Sequence, residues 1–534
     1  MATLFTPRVL LGTGLLLTLL TAPAAAQDVT IPGVEAWAYN GFKSVDGQFF
    51  YMLRQERNVY DLFHLELYGR DLKKLSTTDV RLGRNGRLLT ARAIGDKAVF
   101  CFYNGKAGQL LQFDAAGQKT QDAPVPLADV FGSITALEPA GGGEFYLAYP
   151  IDAEKKGYAV ARYGTDFKPK WQKDFAPEKG KYQLRHFAAD ATHAYAVDEY
   201  SKAGWEVACL DGTTGAEKAR PALPAAPSEV APSLARVDKT GRLLLAGPYA
   251  DKTPRPAVYT EKPGAPPRTG FFTLGLSAEG KEEFFHIMPY TEELGNRLNS
   301  HSSIPIFTVR NYPGLKLHEI VEKPGGGYTL IGETYKNFGF TDTDYEQAGG
   351  TKNGAPAPGN NNYASTGYGY GNNRRYILDF VVLELSAQGK LENLRRLPKP
   401  YKMYMNRSVG NGPEDYEKRT TYSYRFLHQP NPAQPPRLVF MNWHQNQQYV
   451  NSIGLTEARD NLFTRLYLDQ PVVEPAQDRG ELTVREFQHD VAAPNQDLAY
   501  DDVLPYTPGK FLFTHYDKAA KTLRLQVLDV PGLQ

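Results

Sequence analysis

Leu234-Ala235-Arg236-Val237, Asp238-Lys239-Thr240-Gly241, Leu243-Leu244-Leu245-Ala246-Gly247: a short alternating run, an Asp/Gly turn and a second apolar run decide how this chain is read. A third run, Phe271-Phe272-Thr273-Leu274-Gly275-Leu276, follows, and Ser277-Ala278-Glu279-Gly280-Lys281 turns the chain into a fourth. Apolar runs of this length between Gly, Asp and Ser clusters are strands joined in hairpins. The same grammar occurs eight times. Its turn appears as Val45-Asp46-Gly47 before Phe49, as Gly95-Asp96 before Ala98 and as Gly142-Gly143 before Phe145, and the pattern returns before Tyr195, Tyr328, Leu438 and Phe511.

We label the four runs of a unit A to D. The B runs begin near Phe49, Ala98, Phe145, Tyr195 and Leu243, at spacings of about 46 to 50 residues, the length of a four-stranded propeller blade. Later spacings stretch to about 85, 110 and 73 residues while the turns persist, for example Pro324-Gly325-Gly326-Gly327 before B and Ser386-Ala387-Gln388-Gly389-Lys390 after C in unit six. Such spacing predicts longer loops within one array, not a second domain. One such sheet cannot bury both of its faces, whereas a ring of sheets does. The expectation is an all-β fold: a single β-propeller of eight blades over residues 27–534. Seven blades is the alternative, because the turns at 429–436 and 506–509 are the weakest. The last unit supplies A near Val503, B at Phe511 to Thr514 and C at Leu523 to Leu528, then stops at Gln534. Val29 to Trp37 precedes unit one unassigned, and its pairing with the C-terminal blade would close the ring.

On these turns, the chain resembles the broad class of β-propellers whose blades are marked only by Gly and Asp turns, and exported bacterial proteins built that way. Leu210 to Lys218 is similar to a quinoprotein-type blade but lacks the Trp expected after the turn. The Trp-Asp repeat and the Ser-x-Asp-x-Gly-x-Thr-Trp box are absent, so the resemblance implies a fold and transfers no functional residue.

Antiparallel strands put A–B and C–D turns on one face of a propeller and B–C and D–A connections on the other. The expected insertions at 249–270, 290–315, 335–376, 400–421 and 444–461 all enlarge the second face. Loops on one side of a rigid scaffold are where binding concentrates. Aromatic residues stand at the ends of most B strands, at Tyr103, Tyr149, Tyr200, Tyr249, Tyr335, Trp443 and Tyr516. Tyr249, Tyr335, Trp443 and Tyr516, with Glu333, His444 and Asp517 as polar partners, form the candidate ligand-binding set. Recurrence in nearly every blade equally suits packing of each blade on the next. Within the longest insertion, Gly349-Gly350, Asn360-Asn361-Asn362 and Gly367-Tyr368-Gly369-Tyr370-Gly371 compose a Tyr/Asn-rich contact loop or a solvated one.

No catalytic motif is present. The chain has no Gly-x-Ser-x-Gly elbow, and His318-Glu319-Ile320-Val321-Glu322 lacks the second His of a zinc-protease helix. Thr341 to Glu346 alternates oxygen ligands without the Gly and distant Glu of a calcium loop. No metal and no cofactor is expected. Cys101 and Cys209 fall in units two and four, too far apart on the repeat frame for a disulfide, and read as buried thiols.

Arg8, the apolar run Val9 to Leu20 and Ala24-Ala25-Ala26 form a secretory signal over residues 1–26. No other run approaches the length of about 20 apolar residues that a transmembrane helix needs. Loss of Arg8 turns 60 basic against 59 acidic residues into 59 against 59, which argues against nucleic acid as a partner. The sequence therefore reads as an exported, periplasmic or extracellular, monomeric and non-enzymatic scaffold that binds a protein or glycan. The alternative is a carbohydrate-active hydrolase or lyase with paired carboxylates at the channel mouth.

Overall fold

A computed structural model describes residues 28–529 apart from 36–37, 84–85, 129, 131, 152–156, 201–203, 225–227, 252–268, 290–313, 339–373, 398–402, 407–423, 429–435, 445–446, 456–461, 467–470 and 476–501. The expected signal segment, the Thr341 to Glu346 motif and the Tyr/Asn-rich loop lie outside the described residues.

Eight antiparallel sheets follow one another along the chain, and each is a blade. Blade one comprises Tyr39–Val45, Phe49–Glu56, Val59–Tyr68 and Lys74–Arg81 as A to D. Blades two, three and four repeat this order up to Ala219. The A strands of successive blades contact one another around the axis; between blades six and seven, whose A strands are Gly314–Glu322 and Tyr424–His428, the rings of His318 and Tyr424 stack at 4.7 Å. The ring closes as the sequence predicts, though the pairing is confined to Asp28–Pro32. That segment runs antiparallel to Thr522–Asp529, with Asp28 opposite Gln526 and Pro32 opposite Thr522, and is the D strand of blade eight. The eight-blade count holds.

The core is not central. It consists of eight apolar clusters among the described residues, each shared by two neighbouring blades. This follows from the two-residue period of a strand. In Val99-Phe100-Cys101-Phe102, Val99 and Cys101 join the cluster shared with blade three, while Phe100 and Phe102 join the one shared with blade one. A strand covered on both faces reads as a continuous apolar run. Each Phe so buried contributes roughly 1.5–3 kcal/mol relative to exposure.

The C–D turn glycines have a second cause. Gly389 has φ +73°, and a Cβ there would fall within the Phe284 ring on the D strand of blade five. The residue that permits the turn also lets one blade approach the next.

The insertion boundaries need correction. In blade five the B and C strands pair out to Ala250 opposite Thr269, so the 249–270 insertion reduces to 252–268. In blade six the ladder continues through Phe338 opposite Arg374, reducing 335–376 to 339–373. The 290–315 insertion ends where the A strand begins at Gly314. The 400–421 insertion contains a fifth strand, Met403–Asn406, paired to the C strand. The expected 444–461 loop is overturned. Gln447–Gly454 is the C strand of blade seven, paired to Arg437–His444 with His444 opposite Gln447. Its polar composition concealed it, because Asn451 and Ser452 are fully buried in the sheet and Ser452 Oγ accepts a hydrogen bond from Arg437 Nε at 2.9 Å. Blade seven also carries a fifth strand, Pro471–Pro475, outside Leu462–Leu466.

Candidate functional site: the enlarged face of blades five to seven

The face carrying the A–B and C–D turns is committed to holding the ring together. Tyr328 of blade six donates to Asp238 Oδ2 in the A–B turn of blade five at 2.8 Å, and Arg242 pairs with the same carboxylate at 3.0 Å. Thr273 Oγ1 donates to the Gly389 carbonyl at 2.8 Å, and Tyr146 to that of Gly212 at 3.1 Å. These side chains link one blade to a turn of the next, which leaves the opposite face as the variable one.

On that opposite face, blade six stands above its neighbours. Counted from the A–B end, its B–C ladder runs from Tyr328 opposite Leu385 to Phe338 opposite Arg374. The ladder of blade five stops at Ala250 opposite Thr269, and that of blade seven at His444 opposite Gln447. The excess is about three residues, or roughly 10 Å at the rise of a strand. Met403–Asn406 pairs with the projecting part of the C strand, so the projection has three strands. A bulge between Glu333 and Tyr335 marks its base, and bulges bend the strand that carries them.

The aromatic residues at the B-strand ends go mostly inward. Tyr149 is fully buried and Tyr103, Tyr249 and Tyr516 nearly so. Tyr516 stacks on Tyr39 with centroids 4.7 Å apart and donates to the Val34 carbonyl at 2.8 Å, fastening blade eight to blade one. Asp517 is exposed, and its Oδ1 accepts from the Ala520 amide at 2.9 Å within the following turn. The backbones of Tyr335, Trp443 and His444 occupy the tops of the blade six and blade seven B strands.

Glu333 is fully buried at the base of the projection. Its Oε2 lies 3.0 Å from His318 Nε2 and accepts from the Tyr424 amide at 3.4 Å. His318 is the extra residue of an A-strand bulge between Leu317 and Glu319, which turns its ring against Tyr424. The Tyr424 hydroxyl donates to Glu319. Burial pushes the Glu319 carboxyl above its ordinary range, against the pull of that hydrogen bond. His318, Glu319, Glu333 and Tyr424 thus form a polar joint between blades six and seven, and no sequence motif singles out Tyr424.

A second buried carboxylate lies between blades three and four. Asp198 Oδ2 accepts from Tyr158 at 2.6 Å and Arg220 at 2.7 Å, while Arg220 also donates to Glu206 at 2.8 Å and covers the ring of Tyr182. Asp198 Oδ1 is buried without a hydrogen-bond partner. Burial pushes this carboxyl up to about 7, outweighing Arg220.

In the channel, a cavity of about 290 Å³ lies between the A strands of blades two to five. Arg92, Glu138, His186 and Thr90 contribute polar atoms to its lining. Arg92 donates to Glu138 at 3.1 Å, Asp46 at 3.0 Å and the Leu137 carbonyl at 3.3 Å, and His186 Nε2 meets the Pro232 carbonyl at 2.8 Å. Among the described residues Glu138 is the one carboxylate in this lining, and it is ion-paired with Arg92, so those residues do not assemble the two separated acids of a glycosidase there.

Cys101 and Cys209 are free and buried, and burial pushes both thiols up to about 12. They are structural, since the thiolate is the reactive form. Among the described residues no group of His, Cys, Asp and Glu could hold a metal ion, and no helix is long and apolar enough to cross a membrane.

No protein-family model and no curated protein matches the chain. Solved structures similar to it include BamB from Moraxella catarrhalis, at 10% identity and a TM-score of 0.36, covering 94% of this chain and 100% of that one. Polysaccharide lyase Uly1 is similar at 9% identity and a TM-score of 0.40, covering 94% and 98%. The β-propeller domain of Nup133 from Vanderwaltozyma polyspora is similar at 9% identity and 0.37, covering 83% and 100%. The likeness is one of fold, among proteins of unlike function.

Proposed function

We propose that this chain is an exported propeller that binds a protein or glycan partner through the face carrying the B–C and D–A connections of blades five to seven, and that it acts by binding rather than catalysis. The carrying observation is the projection of blade six. Ordering a three-stranded ladder beyond the ends of the adjacent blades costs backbone entropy of about 1–2 kcal/mol per residue. The described strand ends that flank 252–268, 290–313 and 339–373 lie on the same face. Export rests on Arg8, the apolar run Val9 to Leu20 and the Ala24-Ala25-Ala26 site.

Phe338 and Arg374 are directly opposed in the ladder, so a two-residue Asn-Gly turn can replace residues 339–373. The shortened protein is expected to keep its melting temperature and to lose most of the envelope material retained by the immobilised intact protein. Unchanged retention by the shortened protein would refute the assignment of this face.

A further inference from the structure

The A strands of blades two to five, Arg87–Ile94, Ala136–Gly141, Tyr182–Ala189 and Leu234–Val237, border the channel cavity of about 290 Å³. At about 30 Å³ per water it has room for roughly ten waters, and it approaches the lower end of ligand pockets, about 300–1,000 Å³. Two bulges shape its walls. Leu89 is the extra residue between Leu88 and Thr90 in blade two, and Arg185 the extra residue between Leu184 and His186 in blade four. A bulge re-aims the side chains that follow it. Leu88 and Leu89 pack against the two blade–blade clusters on either side, whereas Thr90, Arg92 and His186 line the cavity. Several polar groups there keep hydrogen-bonding capacity. Among the described residues the side-chain hydroxyls of Thr90 and Thr135 have no hydrogen-bond partner. Glu138 accepts from Arg92 through Oε1, which leaves Oε2 for a ligand. Arg92 donates to Leu137, Asp46 and Glu138, fewer acceptors than it has N–H groups. Ile134, Ala136 and Ala235 supply apolar surface in the same lining.

We infer that the channel cavity is a binding site for a neutral mono- or disaccharide, held by Thr90, Arg92, Thr135 and Glu138. This is a second site, apart from the face of blades five to seven, and it does not rest on the proposed function. Charge sets the class of ligand. Arg92 is the one guanidinium or ammonium in the lining, and it already faces two carboxylates, Asp46 at 3.0 Å and Glu138 at 3.1 Å. A carboxylate or phosphate ligand would have to take Arg92 from one of them. An ammonium ligand would meet Glu138 but bring a second cation up to Arg92. A sugar hydroxyl adds to the pair without breaking it, donating to Glu138 Oε2 and accepting from Arg92, and hydrogen bonds to charged groups are the stronger ones. Thr hydroxyls both donate and accept, as the hydroxyls around a pyranose ring require, and the apolar residues suit the C–H faces of that ring. A metal ion would leave the apolar surface unused, and among the described residues no group of His, Cys, Asp and Glu could hold one.

Calorimetric titration of the full chain with glucose, galactose, mannose, cellobiose and maltose, and with galacturonate and glucosamine as charged analogues, tests this. At least one neutral sugar is expected to bind with a Kd of about 1 mM or below, and both charged analogues roughly tenfold more weakly than it. Thr135→Val and Glu138→Gln should each weaken that sugar about tenfold, the effect of one lost hydrogen bond. Glu138→Gln also loosens Arg92, so the melting temperature of every variant is measured, and if it unfolds, Thr90→Val combined with Thr135→Val replaces it. Thr213→Val, exposed in the C–D turn of blade four, should change nothing. The protein shortened at 339–373 should bind the sugar as the intact chain does. No binding by any neutral sugar, a preference for either charged analogue, or full affinity in the Thr variants would overturn the inference. Loss of sugar binding in the shortened protein would also overturn it, by moving the site to the enlarged face, whereas retention of the sugar with loss of envelope material would separate the two sites.

Discussion

Asp28 accepts hydrogen bonds from Arg524, from Nε at 3.1 Å to Oδ1 and 2.9 Å to Oδ2 and from Nη2 at 2.6 Å to Oδ2, across the antiparallel pair that joins the first described strand to the last. Both side chains are 39% exposed. The pair marks the closure of the ring without supplying most of its strength, since exposed ion pairs contribute about 0–1 kcal/mol. The strength lies beneath it, where Val29 and Ile31 pack against the cluster containing Leu512, Leu523 and Leu525.

Arg524→Ala should therefore destabilise the protein by no more than about 1 kcal/mol. Deleting residues 28–32 should lower the melting temperature far more and broaden the transition, because the outer strand of blade eight and its apolar cover are lost together. Calorimetry of the two variants checks this. Equal effects would mean that the ion pair, not the strand, closes the ring.

Gly389→Ala should be strongly destabilising. It places a side chain in left-handed backbone, at about 1–2 kcal/mol, and drives a methyl into Phe284, at about 1–3 kcal/mol for overpacking. Gly142 also has positive φ, +60°, but has no atom within 4 Å of a Cβ built on it. Gly142→Ala should show the backbone cost alone, about 1–2 kcal/mol. Denaturant midpoints of the pair measure how much of the turn glycine's role is blade-to-blade approach.

The fold was legible where burial is two-sided. Runs such as Val99-Phe100-Cys101-Phe102 advertise a covered strand, and the turn glycines fix the period. Gln447–Gly454 was misread because Asn451 and Ser452 are polar yet lie inside the sheet. The projection of blade six was missed for a different reason. Tyr335-Lys336-Asn337 and Arg374-Arg375-Tyr376 continue a ladder past the ends of the neighbouring ones, so no repeat in the other blades points to them. Of the seven candidate ligand residues, Tyr249, Tyr516 and Glu333 are buried, and the recurrence that drew notice to the two tyrosines is the recurrence of blade packing.

His428 should make the joint between blades seven and eight acid-sensitive. Its Nε2 accepts from the Gly509 amide of blade eight at 2.9 Å, and its ring meets Phe511 edge-on at 4.8 Å. Burial, helped by the charge of Arg437, holds the imidazole down to about 4. A depressed folded value means a contribution present above the ordinary His range near 6.5 and lost as pH falls through 4. The melting temperature should drop over that window, and less so in His428→Gln, which keeps an acceptor for Gly509. The same drop in both proteins would place the acid sensitivity elsewhere.

Asp198 has the opposite sign. With its folded value raised to about 7, its contribution is present below the ordinary carboxylate range and is lost as pH rises through 7. Asp198→Asn should therefore flatten the fall in melting temperature between about pH 4 and 7, although it weakens the links to Tyr158 and Arg220. An unchanged slope in the variant would show that Arg220 keeps Asp198 ionised.

Amide hydrogen exchange on the intact protein, with and without the envelope fraction that it retains, tests binding through the enlarged face most directly. The account predicts that added protection is concentrated in Tyr328–Phe338, Arg374–Leu385 and Met403–Asn406, with the turns at Asp238 to Gly241 and Ser277 to Lys281 unchanged. Protection centred on those turns, or none on the blade six projection, would contradict it.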